Sequence, residues 1–91
     1  MPKYVIERPL PGADNLSPSE LQAMAERSNS VLRELGPTIQ WLHSYVAENK
    51  IYCVYIAANP EIILEHARCA GFPAETITRV ATVIDPTTAE R

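Results

Sequence analysis

Two histidines, two cysteines, four tyrosines and a Glu-Arg pair near the first strand's end are the side chains here that could do chemistry. His43 and His66 could each ligate a metal or act as a general base. A lone histidine among apolar residues is more often hydrogen-bonded at the core's edge. A first-row metal site would need further ligands, from Glu7, Glu65, Cys53 or Cys69. Glu7 could bind a metal or orient a histidine; otherwise Glu7 and Arg8 form a solvated or salt-bridged strand end. Cys53 lies in an apolar stretch and reads as a buried packing residue. Cys69 falls near a helix C-terminus, where nothing lowers a thiol pKa, so neither cysteine reads as an activated nucleophile. There is no CxxC, GxSxG, P-loop or GxGxxG, so covalent hydrolysis and nucleotide binding lack their motifs.

The chain that must position these residues has 91 residues and is 46% hydrophobic. That is one domain, residues 1–91, with enough apolar content for a core. Eight basic and eleven acidic residues give a net charge of −3, which disfavours a nucleic-acid partner. No apolar run approaches the roughly 20 residues that span a bilayer, so no membrane partner is expected. Met1-Pro2-Lys3-Tyr4 leads directly into structured sequence with no signal-peptide pattern. The expected setting is cytoplasmic and reducing.

Tyr4-Val5-Ile6 opens a first strand that Pro9 and Pro11 close. Ser17, Pro18 and Glu20 spell a capped helix start. Leu21, Met24, Ala25, Ser28, Val31, Leu32 and Leu35 give that helix one buried face, and Gly36-Pro37 stops it. Two strands follow, Ile39 to Val46 and Ile51 to Ala57, joined by the polar turn Ala47-Glu48-Asn49-Lys50. Asn59 and Pro60 start a second helix that Gly71 and Pro73 end, with His66 on the flank of its apolar stripe. A fourth strand is expected from about Thr76 to Ile84, then a polar tail, residues 85–91. The order βαββαβ predicts an α+β, ferredoxin-like fold: one four-stranded antiparallel sheet with both helices on one face.

The sheet's second face then needs a cover. Pairing Val46 with Ile51 sorts Trp41, His43, Tyr45, Tyr52, Val54 and Ile56 onto one face. Leu42, Ser44, Val46, Ile51, Cys53 and Tyr55 take the other. Neither reads as a solvated polar surface. An aromatic, partly polar face suits a homodimer interface or a cavity between sheets. Trp41, Tyr45 and Tyr52 are accordingly the candidate ligand-pocket residues.

Three strings, Tyr4-Val5-Ile6-Glu7-Arg8, Cys53-Val54-Tyr55-Ile56-Ala57 and His66-Ala67-Arg68-Cys69-Ala70-Gly71-Phe72-Pro73, resemble a small bacterial nickel-binding protein family once catalogued as a domain of unknown function. The resemblance spans nearly the whole chain. It implies a ferredoxin-like fold, dimeric in the manner of α+β barrels, and a nickel-related role. The nickel-labelled pattern has a histidine near the end of the first strand and Gly-His-Pro after the second helix. Here those places hold Glu7-Arg8 and Gly71-Phe72-Pro73, and only His66 matches. The leading expectation is a small dimeric binding protein that holds nickel or another divalent metal, or a small ligand, between the sheet and the second helix. Its metal residues would be His66, then His43 and Glu7. One alternative is a cofactor-independent monooxygenase- or isomerase-like enzyme. It would work in a dimeric barrel cavity with a histidine base. Another is a structural module that binds only its own copy.

Overall fold

Local punctuation sets the helix boundaries. In the computed structural model, which describes residues 1–90, helix α1 runs Pro18–Leu35. Ser17 caps it: its Oγ accepts from the Glu20 amide at 3.2 Å, and the Glu20 carboxylate accepts from the Ser17 amide at 3.0 Å. Such a cap contributes about 1 kcal/mol. Helix α2 runs Pro60–Ala70, with the Asn59 side chain accepting from the Ile62 amide at 3.0 Å. It ends on Gly71, whose φ of 74° lies in the left-handed region that glycine adopts without a Cβ clash.

Four strands, β1 (Lys3–Pro9), β2 (Ile39–Val46), β3 (Lys50–Ala57) and β4 (Thr76–Arg79), form one antiparallel sheet in the order β2-β3-β1-β4. With the two helices this is the expected α+β, ferredoxin-like arrangement. Strand alternation sends Tyr4, Ile6 and Arg8 of β1 and Ile51, Cys53, Tyr55 and Ala57 of β3 to the helix side. These side chains, Arg8 apart, form the core with Ile39 of β2 and Ile63 of α2, and Met24, Leu32 and Leu35 of α1 pack against it.

Two expectations need correction. The fourth strand stops at Arg79, not near Ile84. The Val80 amide still donates to the Lys3 carbonyl at 2.8 Å. Beyond that point β1 offers nothing more, because it begins at Lys3 and Pro2 precedes it. Val83 and Ile84 are left 64% and 76% exposed. Pro86–Glu90 then form a short 3-10 turn.

The second correction concerns Trp41. The hairpin pairs Val46 with Ile51 as expected, but its register slips between Trp41 and His43. Trp41 opposes Tyr55, His43 opposes Val54, and Leu42 is the extra residue of a β-bulge. One inserted residue reverses parity, so Trp41 turns to the helix side while His43 and Tyr45 stay on the uncovered side. The Trp41 indole Nε1 donates to Ser44 Oγ at 2.9 Å. These side chains are three residues apart on one face, a spacing that regular alternation forbids.

Candidate functional site

The hollow of interest lies between the first half of α1 and the β2–β3 hairpin. Its origin is a shortage of side-chain volume. Ala25 and Ser28 of α1 face Ser44 of β2 and Cys53 of β3, four small residues where close packing would need larger ones. A cavity of about 280 Å³ remains. Leu21 and Met24 wall it on the helix side, and Trp41, Val46, Ile51 and Tyr55 on the sheet side. Phe72, just past α2, and Arg8 close one end. A second hollow of about 220 Å³ shares Arg8, Met24, Ile51 and Phe72 and continues toward Leu10, Leu16 and Arg27.

Arg8 is the unusual group here. Alternation along β1 puts it inside, and only 4% of it is exposed. Its NH1 nitrogen donates to the Pro73 carbonyl at 2.8 Å, its NH2 nitrogen to the Tyr55 hydroxyl at 3.3 Å, and Nε to Cys53 Sγ at 3.4 Å. The guanidinium carbon is 5.9 Å from the Tyr55 ring centroid and 5.6 Å from that of Phe72. Arg27 approaches the same Phe72 ring to 4.6 Å. Cation–π contacts of this kind stabilise a guanidinium without neutralising it. Among the described residues, no carboxylate forms a salt bridge with either arginine.

Behind this cluster, His66 is fully buried, in the middle of α2's inward face rather than on its flank. Its Nε2 lies 3.1 Å from Ser28 Oγ, and its Nδ1 has no partner among the described residues. The tautomer with hydrogen on Nε2 leaves Nδ1 a bare lone pair rather than an orphaned N–H. The ring lies 5.4 Å from Tyr55 and 6.4 Å from Phe72. Burial, then the Arg8 charge, holds the imidazole below its usual pKa, with Ser28 opposing. Burial is also the main influence raising the Tyr55 hydroxyl, with Arg8 opposing.

The residues expected to hold a metal do not gather. His66 lies on the helix side. His43 and Glu7 lie on the uncovered face, on β2 and β1. His43 makes an edge contact with Tyr45, their centroids 5.0 Å apart. Glu7 Oε1 is 3.1 Å from Lys50 Nζ. Among the described residues no three His, Cys, Asp or Glu side chains cluster. The donor set therefore does not fit a nickel centre, and the positive Arg8 beside His66 makes that position less suited to a cation. Cys69 is exposed, and its Sγ lies 3.4 Å from Glu65 Oε1. Desolvation and that carboxylate push its thiol up, away from reactivity. Of the expected pocket residues, Trp41 lines the cavity. Tyr45 and Tyr52 pair with each other across the strands on the far face. Neither histidine lines this helix-side cavity; His43 lies on the uncovered face, the side on which the barrel-cavity alternative would place its base. Sequence reasoning took Arg8 for part of a solvated or salt-bridged strand end and did not single out Ser28 or Phe72, whereas Arg8 is buried without a salt bridge among the described residues. The signal for Arg8 was in the alternation Tyr4, Ile6, Arg8.

A model of the SCO4226-like family, described as nickel responsive, matches residues 4–80. The chain belongs to this family. Among solved structures, the crystal structure of SCO4226 from Streptomyces coelicolor A3(2) superposes with a TM-score of 0.76. It is 14% identical in sequence, and the match covers 90% of this chain and 99% of that one. At that identity the likeness establishes the SCO4226-like fold and leaves the site chemistry to each chain's own residues. No curated protein matches the sequence.

Proposed function

We propose that this SCO4226-like chain is a binding protein that takes an apolar small molecule into the cavity between α1 and the β2–β3 hairpin. The cavity itself carries the reading. Its 280 Å³ falls just below the roughly 300–1,000 Å³ of most ligand sites, and its wall is mostly hydrophobic and aromatic with a few polar groups. The neutral dye N-phenyl-1-naphthylamine tests it. The expected result is a saturable rise in dye fluorescence at micromolar protein. Ala25→Phe, which fills the space from α1, should abolish it with the circular dichroism spectrum unchanged. No saturable signal, or one that survives Ala25→Phe, defeats the proposal.

The family description names nickel, and the scattered donors argue against a centre built from His66, His43 and Glu7 in this chain. Saturable calorimetric Ni²⁺ binding that disappears in His66→Ala would replace the cavity reading with a metal-binding one.

Self-association through the uncovered face is a second reading, supported by its composition. Val5, Tyr52, Val54 and Ile56 make an apolar centre with no helix over it, and Tyr45 is 62% exposed at its side. Light scattering during size exclusion should give twice the chain mass for the wild type and the single-chain mass for Tyr45→Glu. A monomeric wild type at tens of micromolar counts against this interface.

A further inference from the structure

The cavity's one buried charge says more about its occupant. Arg8 carries five N–H groups, and the protein accepts from three: one at Nε, one at NH1 and one at NH2. One N–H on each terminal nitrogen is left over, at the end of a cavity walled by Leu21, Met24, Trp41 and Phe72. A buried charge without a counter-charge is expensive, costing several kcal/mol even after relaxation. The chain has an excess of acidic residues, and among the described residues none forms an ion pair with Arg8, or with Arg27 at the neighbouring hollow.

We propose that the cavity binds an amphipathic monocarboxylate, its carboxylate on Arg8 and its apolar body between α1 and the hairpin. This rests on the cavity reading above and names the ligand class. Arginine's two terminal nitrogens match the two oxygens of a carboxylate, and such charge-assisted bonds are about twice as strong as neutral ones. One lone guanidinium in an apolar wall fits a single negative charge. The second charge of a phosphate monoester would face only hydrocarbon and a few hydroxyls. The body must be apolar because Leu21, Met24, Val46 and Ile51 offer it no hydrogen bonds.

Octanoate and octanamide test the inference, since they share a chain and differ in charge. Trp41 is the only tryptophan and lies in the wall, so its fluorescence reports occupancy directly, and displacement of the naphthylamine dye is a second readout. At pH 7.5 octanoate should bind the wild type at least tenfold more tightly than octanamide. Arg8→Met, which keeps an apolar stem and removes the charge, should erase that preference by weakening octanoate alone. Arg8→Lys should retain part of it. The wild-type comparison stands even if Arg8→Met fails to fold. Equal affinities for octanoate and octanamide, or dye binding that neither displaces, overturn the carboxylate assignment and leave the cavity reading intact. Absence of dye, octanoate and octanamide binding together overturns both.

Discussion

Tyr55→Ala should cost about 3–5 kcal/mol of folding free energy, the range for truncating a large buried aromatic side chain. Tyr55 is 2% exposed and belongs to three structures at once. Its ring is part of the core with Ile6 and Ile63, its edge forms cavity wall, and its hydroxyl accepts from Arg8. Truncation therefore opens a void next to an existing one and removes one of the three acceptors of a buried cation. The void alone accounts for most of the loss, because neighbouring strands hold the backbone and prevent collapse. Tyr55→Phe separates the two effects. It keeps the ring and removes the acceptor, so it should cost about 1–3 kcal/mol, as for a buried donor left unpaired. Urea unfolding followed by far-ultraviolet circular dichroism measures both. A Tyr55→Ala cost below about 1.5 kcal/mol would mean that the ring is not central to the core. A cost-free Tyr55→Phe would mean that the hydroxyl does not help to hold Arg8.

What the sequence made legible is what is decided within a few residues. The Ser17–Glu20 box, the Asn59 cap and the stops at Gly36 and Gly71 each depend on atoms less than a helical turn apart. The βαββαβ order followed from them, and so did the sheet. Trp41's face was not legible, because nothing near Leu42 announces a bulge; the slip is set by how β2 packs on β3. The end of β4 depends on where β1 begins, some seventy residues earlier. His66 looked marginal on α2 alone and is fully buried because α1 brings Ser28 to its Nε2. The cavity was the least visible feature of all. It is a lack of volume between Ala25, Ser28, Ser44 and Cys53, and only the assembled layers show that these four face one another. Arg8 is a different case. Its inward parity follows from Tyr4 and Ile6, and a charged residue on the buried side of a strand is itself a pointer to function.

His66→Ala should cost about 2–5 kcal/mol at neutral pH, as for other large buried side chains cut to alanine, and the histidine should also leave a signature in pH. In the unfolded chain its imidazole titrates near the ordinary value of about 6.5. In the folded chain burial, with the Arg8 charge adding to it, holds that value lower. Between the two values the unfolded chain binds more protons, so stability rises with pH across that window. The contribution is complete above the unfolded value and is lost as pH falls toward the folded one. The groups facing His66 sharpen the reading. Tyr55 stays neutral because its hydroxyl is pushed up, and Ser28 does not titrate. The carboxylates with clear shifts, Glu20, Glu65 and Asp85, are all lowered, so they act at more acidic pH. The wild-type urea midpoint should therefore hold between pH 7.5 and about pH 6.5 and fall from there to pH 5.5. His66→Gln keeps a hydrogen-bonding partner for Ser28 and removes the titration, so its midpoint should stay nearly level over the same range. A level wild-type profile, or an equal slope in His66→Gln, would show that His66 does not carry the acid sensitivity. The same variant bears on the site. His66 lies behind Ser28 rather than in the cavity wall, so its pH effect should appear in stability. Octanoate binding to the folded protein should change little between pH 7.5 and pH 6.5.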